Sequence, residues 1–168
     1  MPPPDSEILV REYARPIHAY LWRLLRDPSA AEECLQETFL RVATAAARGD
    51  PVTHPRAWLY AVATNTARSY GREIARRERR EQELDPDLED RSATVPEAAE
   101  RRVRLRQVES AVGRLPPKQR TALVLRKYQG LSYDEVGAAL GCSPASARAN
   151  VYQALRHMRE WLGEEGDS

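Results

Sequence analysis

Residues 132–160 contain a pattern that few folds satisfy, because it places two helices at a steep angle across one tight turn. Ser132-x-x-Glu135 has the spacing of a capping box and predicts the start of a short helix. Gly141 supplies the backbone conformation of a tight turn, and Ser143-Pro144 then starts a longer helix. Gly137 has no side chain to keep the two helices apart. This combination is typical of a helix-turn-helix.

The second helix of this motif has a buried stripe and a polar face. Ala147, Val151 and Ala154 lie at the spacing of core residues, which turns the polar positions outward near the start of the helix. The candidate DNA-contacting residues are Ser143, Ser146, Arg148, Ala149, Asn150 and Gln153. Arg, Asn and Gln side chains suit bidentate contacts to base edges in a major groove. The alternative is a helical module that binds another protein.

Apolar residues recur every three or four positions along most of the remaining chain. This predicts amphipathic helices over roughly 6–25, 27–48 and 55–80, and again over 100–115 and 117–128. Asp27 and Pro28 mark one helix start, where Ser29-x-x-Glu32 repeats the capping-box spacing. The first helix is expected to bury Ile8, Val10, Tyr13, Ile17, Tyr20, Leu21 and Leu24.

Residues 81–99 separate two helical groups. This stretch is acidic, is interrupted by Pro86 and Pro96, and has few large apolar side chains, so it predicts a flexible linker. We therefore predict an all-α protein of two small helical domains. The predicted parts are a three-to-four-helix bundle over 1–80, an acidic linker over 81–99, a helix-turn-helix domain over 100–163 and a tail over 164–168.

The net charge of +1 conceals strong local charges. Residues 51–80 and 101–168 carry +5 each, whereas residues 1–50 carry −2 and residues 81–100 carry −7. Basic blocks on both sides of an acidic stretch indicate two places where a polyanion binds, and nucleic acid is the leading partner class. The alternative is that the basic residues form solvated helix faces, since 24 of the 26 are arginine.

The sequence contains no pattern typical of a metal site or an enzyme active site. Cys34 and Cys142 have no second cysteine or histidine at ligand spacing, so we expect no metal, no disulfide and no cofactor. His18, His54 and His157 are scattered, and there is no glycine-rich phosphate loop, which argues against an enzyme. No apolar stretch approaches the ~18 residues of a membrane span, and no signal-peptide pattern is present, so a soluble cytoplasmic protein is expected.

Three segments, in this order, resemble the extracytoplasmic-function (group 4) sigma factors of bacterial RNA polymerase. The first two are AAEECLQETFLRV at 30–42, which is similar to region 2.2, and WLYAVATNTA at 58–67, which is similar to regions 2.3 and 2.4. The third is RLPPKQR at 114–120, which with GLSYDEV at 130–136 and GCSP at 141–144 is similar to region 4. The resemblance implies a subunit that binds core RNA polymerase, directs it to promoters and helps melt the minus-ten element.

The resemblance also implies that one face of the second helix docks on the largest polymerase subunit. This face carries Glu33, Gln36, Glu37, Leu40 and Arg41. Carboxylates beside apolar Phe39 and Leu40 suit a charged protein partner. The alternative needs no partner, since such a face is also stable in water.

Capture of an unstacked minus-ten base is implied at the loop 49–56 and the helix that follows it. Asn65 would make polar contacts with the base, and stacking would fall to His54, Trp58 or Tyr60, any of which is otherwise a core residue. The residues assigned to DNA in this half are His54, Arg56, Trp58, Asn65, Arg68, Arg72, Arg76 and Arg77, with the last four toward phosphates.

The expected partners are core RNA polymerase and promoter DNA, with an anti-sigma protein as a further candidate, and the free protein is expected to be a monomer without membrane insertion. By resemblance the linker threads the polymerase's basic channels, and its alternative role is a solubilising tether. The competing interpretation of the whole chain is a free-standing helix-turn-helix regulator that binds duplex DNA without polymerase. That interpretation accounts for residues 100–162 but leaves residues 27–80 without a purpose.

Overall fold

The computed structural model of the chain describes residues 5–84 and 100–164, and every regular element in these two ranges is a helix. The first range contains α1 (Ser6–Leu25), α2 (Pro28–Arg48) and α3 (Pro55–Leu84). The second contains α4 (Glu100–Arg114), α5 (Pro117–Leu123) with a π-helical continuation (Val124–Tyr128), α6 (Tyr133–Leu140) and α7 (Pro144–Glu164). The all-α prediction is confirmed. Most of the predicted linker and the predicted tail lie outside the described residues, and α3 continues four residues beyond the predicted helix end at 80.

The side chain of Asp27 caps the N-terminus of α2, without a reciprocal capping box. Its carboxylate accepts hydrogen bonds from the backbone amides of Ser29 and Ala30, at 2.9 and 3.2 Å. The prediction that Ser29 and Glu32 form a capping box is wrong, because the helix starts at Pro28 and Ser29 is already inside it. At the other end Gly49 closes α2 with a φ of 74°, in the left-handed region that glycine adopts without strain.

The buried face of α1 differs from the prediction at two positions. Ile8 and Val10 are 48% and 41% exposed, so their predicted burial is wrong, and Leu9 between them is buried instead. Leu9, Tyr13 and Ile17 are spaced four residues apart and continue into Tyr20 and Leu24, which is the stripe that packs on α2 and α3. Ile8 and Val10 flank that stripe and face solvent.

A buried polar pair fastens α1 to α3. The hydroxyl groups of Tyr20 and Thr64 are 2.6 Å apart and share one hydrogen bond, and the ring of Tyr20 meets the ring of Tyr60 edge-on at 5.3 Å. Burial raises the pKa of Tyr20 well above its ordinary value, so the phenol stays neutral. The hydrogen bond satisfies a hydroxyl that would otherwise be costly to bury.

The second unit confirms the predicted helix-turn-helix. Ser132 and Glu135 form the reciprocal capping box, and Gly141 ends α6 with a φ of 68°. A Cβ atom at Gly137 would lie 2.7 Å from the carbonyl oxygen of Cys142, closer than real Cβ contacts come. Glycine at this position is therefore what allows α6 to approach the turn that leads into α7.

The two helical units pack against each other. α3 contacts α6, α1 contacts the π-helical segment, and the buried residues of both units form one continuous cluster. At the edge of this contact the guanidinium of Arg26 pairs with the carboxylate of Glu109 at 2.9 Å, and the guanidinium of Arg23 lies 4.6 Å from the ring centroid of Tyr128. In this structure the two units form a closed arrangement.

Candidate nucleic-acid interface

The first half of α7 presents an open polar face. Ser146, Arg148, Ala149 and Gln153 are exposed, as predicted, while Ala147, Val151 and Ala154 are buried against the rest of the unit. The short α6 ends at Gly141, and the turn there leads into α7, whose N-terminal half carries these exposed side chains. The face therefore has the shape and the side chains to enter a major groove.

Two of the predicted α7 contacts are already engaged within the helix. The hydroxyl of Ser143 accepts a hydrogen bond from the backbone amide of Ser146 at 3.1 Å, which caps the start of α7. Asn150 is half-buried, and its side-chain amide donates to the carbonyl of Ser146 at 3.0 Å. These two side chains have less freedom to meet a base than Arg148 and Gln153.

Tyr152 belongs to the same face and was not among the predicted contacts. It is 62% exposed. The sequence could have predicted this position, because Tyr152 follows Arg148 by four residues and Ala149 by three and so lies on the same side of the helix.

The start of α3 is partly covered by the second unit. One guanidinium nitrogen of Arg56 donates to the backbone carbonyl of Gln129 at 2.8 Å, and another lies 3.9 Å from the Glu135 carboxylate. The Tyr60 hydroxyl donates to the side-chain oxygen of Gln129 at 2.9 Å. Arg56, predicted to face DNA, is thus bound to the protein itself in the closed arrangement.

The three aromatic candidates for base stacking differ in exposure. Tyr60 is 2% exposed and its burial raises its pKa to about 12, so in this arrangement it is a core residue and cannot stack on a base. Trp58 is half-buried, and His54 is exposed in the loop before α3. His54 and Trp58 remain the candidates.

A basic stripe runs along α3. Asn65 is exposed, and Arg68, Arg72 and Arg76 follow it at helical spacing on one side. Arg68, Arg72, Arg76 and also Arg79 line a cleft of about 880 Å³, together with Leu24, Leu25 and Pro117. Arg79 was not among the predicted DNA-contacting residues. Its position seven residues after Arg72, about two helical turns, could have shown that it lies on the same side of α3.

Arg77 lies off this stripe. Its guanidinium pairs with the Glu73 carboxylate at 2.7 Å, one helical turn away, and it does not line the cleft. The structure therefore does not place Arg77 with the other arginines predicted to face phosphates.

The predicted polymerase face of α2 is exposed. Leu40 is 63% exposed, Glu33, Gln36 and Arg41 are exposed beside it, and the Glu37 carboxylate accepts from Arg41 Nε at 2.8 Å. Phe39, proposed as a second anchor, is half-buried and packs on the core. Cys34 is buried behind this face, and burial raises the pKa of its thiol to about 11, so it is an unreactive core residue.

Residues 5–84 and 100–164 contain neither a metal-binding cluster nor a membrane-spanning helix. No three His, Cys, Asp or Glu side chains in these ranges are arranged to hold a metal ion. None of the helices there has the length and apolarity to cross a bilayer.

Two family matches cover both units. Residues 9–79 match sigma-70 region 2, and residues 105–158 match sigma-70 region 4. The chain is 34% identical over 161 residues to the RNA polymerase sigma factor CarQ of Myxococcus xanthus, covering 94% of this chain and 89% of that protein. It is 32% identical to the ECF RNA polymerase sigma factor SigE of Mycolicibacterium smegmatis, covering 96% of this chain and 63% of that protein.

Two solved structures have a similar fold. One is the sigma factor RpoE in complex with the anti-sigma factor NepR from Bartonella quintana, with a TM-score of 0.70 and 20% identity, covering 94% of this chain and 96% of that one. The other is CnrH in complex with the cytosolic domain of CnrY, with a TM-score of 0.65 and 22% identity, covering 97% and 89%.

Proposed function

This chain belongs to the sigma-70 family, within the extracytoplasmic-function group of RNA polymerase sigma factors, and from that membership we propose how its surfaces divide the work of promoter recognition. As a sigma factor it binds core RNA polymerase and promoter DNA. The free-standing regulator is not supported, because the family match extends over region 2 as well as region 4. We propose that the chain has no catalytic step of its own and acts in the cytoplasm with the polymerase.

The proposed division of roles rests on one observation: the two surfaces suited to bind DNA lie on different helical units. The exposed face of α7 offers Arg148 and Gln153 to base edges and suits closed duplex DNA in the upstream, minus-thirty-five element. The stripe on α3 combines Asn65 with Arg68, Arg72 and Arg76 and suits a strand whose bases have left the stack. The α7 unit therefore reads duplex, and the α3 unit captures the melted minus-ten strand.

The third surface is the α2 face around Leu40, which we assign to core polymerase. Its leucine is a large apolar side chain that lies exposed at the surface, and Glu37 beside it offers a carboxylate. A basic, half-apolar protein surface is complementary to both groups.

The promoter-specific activity is tested with purified components. The protein mixed with core polymerase is expected to retard promoter duplex and to support run-off transcription, because the sigma factor acts as part of the holoenzyme. The protein alone, at the same concentration, is expected to leave the duplex unshifted. A sequence-specific shift by the protein alone, with no transcription when core polymerase is added, would contradict the proposal.

The closed arrangement must open for Arg56 to reach DNA, since its guanidinium is bound to Gln129. Replacing Gln129 and Glu109 with alanine removes the side-chain acceptors of Tyr60 and Arg26 across the contact. A hydrogen bond contributes about 1 kcal/mol and an exposed ion pair less, so we expect the open form to gain several-fold in population. Small-angle X-ray scattering should then report a larger radius of gyration.

The matched control is Glu160→Ala, which removes an ion pair between Glu160 and Arg156 inside one helix. It should leave the scattering profile unchanged. A double variant with full helicity and an unchanged radius would show that these contacts do not hold the two units together.

An anti-sigma protein is a further partner that we propose for this chain. One structure of similar fold shows the sigma factor RpoE bound to the anti-sigma factor NepR. A partner that stabilises the closed arrangement would keep Arg56 on Gln129 and away from the promoter.

A further inference from the structure

Tyr133, the first residue of α6, lies against two arginines from different elements. The guanidinium carbon of Arg126 is 4.5 Å from its ring centroid, and that of Arg148 on α7 is 5.0 Å away. Both distances are within the range of cation–π contacts. The ring is half-buried and packs on the core of its unit, so its own position is restricted.

Arg126 is itself anchored. One of its guanidinium nitrogens donates to the backbone carbonyl of Leu131 at 2.9 Å, in the segment that leads into α6. The ring of Tyr133 thus contacts both the core of its unit and an anchored guanidinium, and it forms a stable platform for Arg148.

Arg148 depends on this platform for its orientation. Its side chain is exposed, and within residues 5–84 and 100–164 it makes no hydrogen bond or ion pair, so its ring contact with Tyr133 is what limits its rotamers. A free arginine loses side-chain conformational entropy when it is immobilised. A residue that orders Arg148 beforehand reduces that loss when DNA binds.

A cation–π contact holds a guanidinium over a ring without using its N–H groups as hydrogen-bond donors to an acceptor atom. The donor fork of Arg148 is thus available for the O6 and N7 acceptors of a guanine in the major groove. We propose that Tyr133 is a positioning residue that holds Arg148 for a guanine of the upstream promoter element. The inference rests on the proposed reading of that element by α7.

The test uses holoenzyme assembled from the full chain and core polymerase, with an upstream element randomised one base pair at a time. Arg148→Ala defines the position at which the preference for guanine falls. Tyr133→Leu should lower the preference at that same position by about two- to fivefold, the fold-change that corresponds to a cation–π contact of about 0.5–1 kcal/mol. Tyr133→Phe keeps the ring and should retain the preference, and Tyr133→Leu combined with Arg148→Ala should lose no more than Arg148→Ala.

Tyr128→Leu is the matched control, because it removes another ring that contacts an arginine, Arg23, without touching Arg148. It should leave every base preference unchanged. Tyr133→Met is made in parallel, so that a variant without a π face is available if the leucine variant is poorly folded.

Three outcomes overturn the inference. If Arg148→Ala changes a preference and the Leu and Met variants of Tyr133 do not, the positioning role fails while the proposed function stands. If Tyr133→Phe loses as much as Tyr133→Leu, the hydroxyl acts on DNA itself and the ring is not the platform. If Arg148→Ala changes no position, the assignment of Arg148 to base reading fails together with the inference.

Discussion

Replacing Leu40 with alanine and Glu37 with arginine is expected to weaken binding to core RNA polymerase by about 2–4 kcal/mol, the range of interface hot spots. Leu40 is 63% exposed, so its truncation removes little packing within the fold. Glu37 pairs with Arg41 on its own helix, and reversing its charge there costs the helix roughly 0.2–0.5 kcal/mol. The two substitutions should therefore weaken the complex with polymerase and hardly change the stability of the free protein. Equilibrium binding of labelled protein to purified core polymerase measures it.

A matched pair of substitutions on the same helical unit provides the control. Ile8 and Glu12 are an exposed apolar residue and an exposed carboxylate one helical turn apart on α1. Ile8→Ala with Glu12→Arg repeats both chemical changes outside the α2 face and should leave polymerase affinity unchanged. Equal affinities of the wild-type protein and the folded Leu40 and Glu37 double variant would remove the α2 face from the proposal.

Asn65→Ala is expected to impair opening of the minus-ten element by about 5- to 150-fold while leaving upstream base preference intact. The side chain is exposed at the head of the arginine stripe on α3, and a lost hydrogen bond to an extruded base costs about 1–3 kcal/mol. Permanganate footprinting on closed duplex should show fewer reactive thymines. A template with a premelted bubble should partly rescue the defect, because the unstacking cost has already been met.

Arg148→Ala provides the reciprocal comparison. It should alter selection of the upstream element, measured by competition binding. On a template with a premelted bubble, the open minus-ten region should be the same as with the wild-type protein. If Asn65→Ala altered only upstream selection, or Arg148→Ala only melting, the proposed division between α3 and α7 would be wrong.

The helix ends were predictable because their signals are local. A cap acts within one turn, so Asp27, the Ser132 and Glu135 box and the left-handed glycines could be recognised from neighbouring residues. The exposed α7 face followed from the spacing of its buried stripe. The errors arose where two local signals competed, as at Ser29 beside Asp27, or where apolar residues stood on both sides of a stripe, as at Ile8 and Val10.

Exposure of the site residues was predictable only in part. Arg77 has the same chemistry as Arg76, and the difference between them is a 100° turn of the helix and the presence of Glu73. Tyr60 and Trp58 were equivalent candidates for stacking, and burial against Gln129 separates them.

The sequence by itself determined the helices, their order and the polar face of α7, because periodicity and capping depend on residues within a few positions of each other. Only the tertiary structure decided which helix faces meet between the two units. Arg56 reaches Gln129 across 73 positions, and Arg26 reaches Glu109 across 83. Contacts at such separations depend on how both units pack as whole surfaces, so no local pattern in the chain specifies them.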